Sequence, residues 1–201
     1  ALRRHQSGLL VETLVGDFAG RRGDVETVLR SGPDVFAHNI EVTRRLTPSV
    51  RDPRCSYDRA LEVLANAKQF AAERYVKSSI MVGIGETDAE IEETLQDLRG
   101  AGVDIVTLGQ YLQPTPKHVP VDRFVSPEQF LHWEQRAQQL GFAFVASGPL
   151  VRSSYHAAEA FVGAKLGHGE GTSTSAGPTV RSPAASGAQL LDPSQLVRRA
   201  P

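Results

Sequence analysis

The sequence predicts an α/β fold built from parallel strand–helix units, on three observations. Short apolar runs rich in Val and Ile recur along the chain, bounded by Gly, Pro or Asp. Segments with apolar residues at helical spacing lie between them. Two of those segments open on a capping residue and close on glycine. A strand followed by a helix, repeated, needs crossover connections and therefore parallel pairing. An open doubly wound sheet fits, as does part of a closed barrel; both put the functional site at the carboxyl ends of the strands.

Five runs read as buried strands: "GLLVETLVGDF" (8 to 18), "DVFAHNIE" (34 to 41), "KSSIMVGIGE" (77 to 86), "VDIVTLGQYL" (103 to 112) and "FAFVASGPL" (142 to 150). All are short, as strands covered on both faces are. From Asp58 onward, Ala60, Val63, Leu64, Ala67, Phe70 and Ala71 share one face of a 3.6-residue period, an amphipathic helix lying on a sheet. Thr87 and Glu90 form a T-x-x-E capping box ahead of Ile91, Leu95 and Leu98, and Gly100 and Gly102 stop that helix. Ser126 caps the next, Pro127 occupies its first turn, Phe130, Trp133, Ala137 and Leu140 form its stripe, and Gly141 ends it.

From Gly163 the composition shifts to Gly, Ser, Ala, Thr and Pro without a sustained period, so residues 163–201 are expected to be a disordered tail beside one domain spanning residues 1–162. Charges nearly cancel, 22 basic against 23 acidic, which offers no broad footprint for nucleic acid or an anionic membrane surface. No apolar run is long enough to span a bilayer, and the first residues lack the pattern of a signal peptide. The single cysteine, Cys55, excludes an internal disulfide framework. The only methionine is Met81, so Ala1 is expected to follow a processing site or a missing upstream piece, and the second is preferred.

At the expected rim the second strand ends in His38, Asn39 and Glu41. His38 alone reads as a satisfied core histidine. Asn39 and Glu41 are two apart, so on a strand they point to one side and into one cavity. Gly83 and Gly85 remove side chains at the third strand end, either to admit a ligand or to relieve crowding. They lie in no phosphate-loop pattern. Lys77 lies at the amino end of its strand, which disfavours a Schiff-base role. Gln110, Tyr111, Gln113 and His118 stand at the fourth strand end or in the loop beyond. Arg152, Ser153, Ser154 and Tyr155 follow the fifth. No G-x-S-x-G elbow surrounds those serines, and a helix cap is their simplest use.

The runs "DVFAHNIE", "VRDPRCSYDRALEVLANAK", "KSSIMVGIGETDAEIEETLQDLRGAGVDIVTLGQYLQPTPKHVPV" and "ASGPLVRSSY" together resemble the lipoyl synthase family, from about Val11 to Phe161. The resemblance implies the carboxyl half of a partial radical-SAM-type, TIM-like barrel. It further implies a 4Fe–4S cluster that cleaves S-adenosylmethionine to a carbon radical, hydrogen removal from C6 and C8 of an octanoyl chain on a lipoyl carrier domain, and an auxiliary 4Fe–4S cluster consumed as sulfur donor. Carried over residue by residue, Ser154, or failing it Ser153, is the oxygen ligand of the auxiliary cluster, and Arg152 fixes that loop. Asn39, Glu41, Gly83 and Gly85 surround S-adenosylmethionine, and Gln110, Tyr111 and Gln113 lie at the substrate cavity.

The implied partners are octanoylated carrier domains, on 2-oxoacid dehydrogenase E2 subunits and the glycine cleavage H protein, with an electron donor such as ferredoxin. The wording is closest to the mitochondrial branch, with a cytoplasmic location expected for a bacterial source.

Two departures bear on the reading. Glu41 is followed by Val42-Thr43, the reverse of the family's usual order. Both cluster motifs, three thiolates each, are absent; Cys55 matches neither and stands where the family commonly has alanine, which suggests a bystander. The expectation is a carboxyl-half fragment of the enzyme, or alternatively a catalytically dead short product that at most binds an octanoylated carrier. A missing first strand would leave a sheet edge exposed. A generic barrel aldolase or phosphate-binding enzyme is a distant third.

Overall fold

The computed structural model describes residues 10–154. Tyr155 and the expected tail, residues 163–201, lie outside the described residues.

Five strands form one parallel sheet in chain order: β1 (Glu12–Leu14), β2 (Val35–Ala37), β3 (Tyr75–Val82), β4 (Ile105–Gln110) and β5 (Phe144–Gly148). Helices α1 (Arg22–Arg30), α3 (Tyr57–Phe70), α4 (Asp88–Gly100) and α5 (Pro127–Gln139) are the crossovers, with a short turn of helix, α2 (Thr47–Val50), before α3. Consecutive strands are sheet neighbours, as in a barrel wall, so the architecture is part of a parallel barrel, five strands wide among the described residues.

All five expected strands form; four are trimmed at both ends, and β3 starts two residues earlier than expected, at Tyr75, and stops at Val82. The first shortens because Asp17 begins a turn: its side chain accepts from Ala19 N–H, and Phe18, Ala19 and Gly20 take positive φ. Helix α1 has no counterpart among the expected elements; Val25 and Leu29, four apart, are its buried stripe. The caps form as expected. Thr87 and Glu90 bond reciprocally at the start of α4, Ser126 accepts from Gln129 N–H, and Ser56 does the same for α3.

Alternation along the strands divides the sheet into two faces. Phe36, Val76, Ile80, Val82, Val106, Leu108 and Val145 pack with Leu64, Leu95, Leu98, Phe130 and Trp133 from the helices in one large core. On the other, concave face, Val35, Tyr75, Ile105 and Phe144 plug the amino end. Above that plug the wall turns polar. Lys77, only 2% exposed, donates to both carboxylate oxygens of Glu12 at 2.8 and 3.0 Å, reaching across β2 to the edge strand. Thr107 donates to Ser79 at 2.9 Å. Among the described residues β1 pairs only with β2, and Leu14 is 56% exposed.

Candidate functional site

Two cavities open at the carboxyl ends of the strands. The first, about 760 Å³, lies at the ends of β1 and β2 and is walled by the turn at Asp17, by Arg51–Ser56 and by Arg59. A second, about 230 Å³, lies over β3 and β4 and is walled by Ser79, Met81, Tyr111, Leu112, Val151 and Arg152, with Ser153. Asn39 and Glu41 line both.

Strand alternation is not what brings Asn39 and Glu41 together. Strand β2 stops at Ala37, and Glu41 sits at φ +71, a left-handed backbone that costs a non-glycine residue about 1–3 kcal/mol. Neighbouring backbone over-determines it. Glu41 N–H donates to Ser79 O at 3.0 Å, Met81 N–H donates to Glu41 O at 2.7 Å, and Ile40 N–H donates to Ser78 Oγ at 3.1 Å. The strand is thus stitched to β3 beyond its regular pairing, and the turn delivers the Glu41 side chain to the boundary of the two cavities. Beyond it, Arg45 holds the loop by donating to Gly85 O and pairing with Glu90. That pairing and the Thr87 N–H lower the Glu90 carboxyl to about 2.

His38 is a core histidine, as expected, yet only half satisfied. Its Nδ1 lies 2.9 Å from Val15 O, and its Nε2 has no hydrogen-bond partner among the described residues. Burial pushes its pKa below the ordinary 6.5, so the ring is neutral near pH 7. Because a carbonyl only accepts, Nδ1 carries the proton and Nε2 is a bare acceptor.

The glycines of the third strand end serve the chain itself. A Cβ at Gly83 would meet Gln110 Nε2 at 2.3 Å and Arg123 O at 2.5 Å, and Gly83 and Ile84 donate to the buried Glu86 carboxylate at 2.8 and 2.9 Å. Gly85 has φ +103. Neither lines either cavity, so relief of crowding and turn geometry account for Gly83 without a ligand.

Gln110 and Tyr111 do line the second cavity, but their polar atoms are already engaged. The Gln110 amide donates to Tyr111 O and Arg123 O and accepts from Val125 N–H, and the Tyr111 hydroxyl donates to Val119 O at 2.8 Å. Each serves as cavity wall and loop anchor. Gln113 is exposed, donates to His118 O, and lines neither cavity.

Arg152 and Ser153 reach the second cavity; Ser154 is exposed and does not line it. The segment is steered by a residue that sequence reasoning passed over. Val151 O crosses so close to Gly109 that a Cβ there would lie 2.3 Å from it. A glycine inside a strand pattern is the signal of such a close pass. Arg51 was missed as well: it donates to Asn39 O at 3.2 Å and Ile40 O at 3.4 Å, bracing the rim of β2.

A parallel half-barrel whose polar residues gather at the carboxyl rim defines a class, and the model of the radical SAM superfamily matches residues 2–98 of this chain. Within that class the chain is a homologue of the lipoyl synthases. It is 56% identical over 161 residues to the mitochondrial lipoyl synthase of Drosophila ananassae, 80% of this chain and 43% of the relative. It is likewise 56% identical over 161 residues to the mitochondrial enzyme of Drosophila melanogaster, and 55% identical over 175 residues to the lipoyl synthase of Sorangium cellulosum. The chain spans less than half the length of these relatives.

Proposed function

We propose that the chain forms the cofactor- and substrate-facing wall of a lipoyl synthase, which inserts two sulfurs at C6 and C8 of an octanoyl group carried by a lipoyl domain. The observation that carries this reading is the position of Asn39 and Glu41 on the boundary of both cavities. Glu41 is held there at φ +71, a backbone cost of about 1–3 kcal/mol that its bonds to β3 sustain.

S-adenosylmethionine fits this boundary. Asn39 offers an amide and Glu41 a carboxylate acceptor for hydroxyl or ammonium groups, and the first cavity lies within the roughly 300–1,000 Å³ of small-molecule sites. When bound, it supplies one-electron chemistry that removes hydrogen from an unactivated carbon. The chain's own part is to orient that carbon. Met81, Tyr111, Leu112 and Val151 give the second cavity an apolar wall suited to an acyl chain, and the in-chain bonds of Gln110 and Tyr111 keep that wall rigid. Arg152 stands at the same cavity, ready to meet an acidic carrier surface.

Iron–sulfur clusters do not fit the donors present. Cys55 is the only thiol, and no group of three His, Cys, Asp or Glu among the described residues is placed to hold a metal. No step is therefore assigned to Ser154 or Ser153 as an iron ligand. A second reading is that this chain binds an octanoylated carrier without turning it over. The carriers in either case are those of 2-oxoacid dehydrogenase E2 subunits and the glycine cleavage H protein, with a ferredoxin-type electron donor for catalysis. The names of the Drosophila relatives support a mitochondrial setting.

Equilibrium dialysis of the chain with S-adenosylmethionine tests the cofactor site. Glu41→Gln, which keeps shape and removes charge, should weaken binding about tenfold, the loss of one charge-assisted hydrogen bond. An octanoyl-lysine peptide should bind the same chain, and Met81→Asp should abolish it. Absence of saturable binding of either ligand would refute the placement.

A further inference from the structure

Cys55 lies half-buried on the wall of the first cavity, its backbone N–H held by Asp52 O at 2.8 Å. Three arginines share that wall. Arg54 forks onto Asp52 at 2.9 and 3.1 Å, and Arg59 donates to Arg54 O and toward Asp17. Arg51 differs: its guanidinium donates to the Asn39 and Ile40 carbonyls, which leave its charge uncompensated, and no carboxylate among the described residues pairs with it.

An independent observation concerns the same wall. His38, only 3% exposed, lines the cavity with its Nε2 acceptor unpartnered, and a buried polar atom left without a partner costs about 1–3 kcal/mol. One space is therefore lined by a guanidinium with no carboxylate partner among the described residues, a histidine with one ring nitrogen unpartnered, and a thiol. A small peptidic disulfide bearing carboxylates carries the complementary groups.

We propose that Cys55 is a thiolation site for a carboxylate-bearing, low-molecular-weight disulfide, and that the adduct occludes the space beside Asn39 and Glu41; the occlusion, unlike the thiolation, rests on the cofactor reading above. The Cys55 thiolate attacks one sulfur of the disulfide. A sulfur–sulfur bond to Cys55 forms as the original one breaks, and the departing thiolate takes a proton from water. Cys55 is oxidised and the released thiol is the reduced product, so no other oxidant is needed. A thiol reductant reverses the step.

The test follows adduct formation by intact mass on the whole chain, where Cys55 is the only thiol. Glutathione disulfide, anionic, and cystamine, cationic, are compared at equal concentration. Glutathione disulfide is expected to react about tenfold faster, as charge selection by a lined cavity gives, and dithiothreitol should remove the adduct. Arg51→Gln should erase the preference, and Cys55→Ala should give no adduct. Equal rates, a preference for cystamine, or no adduct on the unaltered chain overturn the proposal whatever the variants do. S-adenosylhomocysteine is added in a parallel series and should slow the reaction. A preference for glutathione disulfide without that protection upholds thiolation and removes the cofactor from this cavity. Protection without the preference does the reverse.

Discussion

Gly109→Ala should unseat the segment that carries Arg152 and Ser153 while leaving the sheet intact. The added Cβ would lie 2.3 Å from Val151 O and 3.2 Å from Val151 C. A carbon and a carbonyl oxygen approach to about 3.3 Å, so the Val151 carbonyl must retreat by about 1 Å. That carbonyl accepts from Arg152 Nη1 at 3.0 Å, and Val151 N–H donates to Gly148 O at 3.1 Å. Both bonds weaken if the segment lifts, and Val151, now buried, loses contact with the sheet. Overpacking of this kind costs about 1–3 kcal/mol, which for a chain of this size lowers Tm by roughly 2–12 °C. Thermal unfolding followed by circular dichroism reads that loss, and binding of an octanoyl-lysine peptide reads the position of the segment. Gly23→Ala supplies the opposite sign. That residue lies in α1 with nothing within 4 Å of a new Cβ, so the change should raise stability by about 0.5–1 kcal/mol. A Gly109→Ala chain with unchanged Tm and unchanged peptide affinity would refute the close pass and, with it, the account of how the segment reaches the cavity.

Glu12→Gln strands the charge of Lys77 inside the wall and should cost about 3–5 kcal/mol, whereas Lys77→Met leaves a Glu12 that water can reach and should cost less; urea denaturation of the two variants gives the order. The depressed pKa of His38 means that the unfolded chain takes up its proton first. Stability from this group is therefore complete above pH 6.5 and falls as pH drops below it, and His38→Gln should flatten the dependence of Tm on pH between about 7.5 and 5.5. Glu90, lowered to about 2, contributes stability above its ordinary 4.5 that disappears as pH falls toward 2. Thr87→Ala should remove about 1 kcal/mol of it at neutral pH, measured by urea denaturation.

Much of the scaffold was legible because its causes are local. Val and Ile runs, the Thr87–Glu90 box and the Ser126-Pro127 cap are decided by neighbours within a few residues, and each forms where its pattern lies. Helix α1 escaped because it buries only Val25 and Leu29, too short a stripe to stand out against Arg21, Arg22, Asp24 and Glu26. The candidate site was legible as residue types and misjudged as geometry. Asn39 and Glu41 converge through a left-handed turn, where strand alternation was expected. Gln110 and Gln113, read as ligand groups, spend their amides on loop carbonyls, and no pattern in sequence announces which carbonyl will pass within 3 Å.

The sequence by itself determined the order of the strands and of helices α3, α4 and α5, the caps at Thr87 and Ser126, and the polar character of the strand ends, since propensity and periodicity act over short stretches of chain. Tertiary structure alone decided that Glu41 and Arg152 border one cavity, that Lys77 is neutralised by Glu12 across an intervening strand, and that Gly109 yields its space to Val151. Those pairings join residues 42 to 111 positions apart. They follow from sheet register and close packing, which bring distant groups together only once every intervening crossover has taken its place.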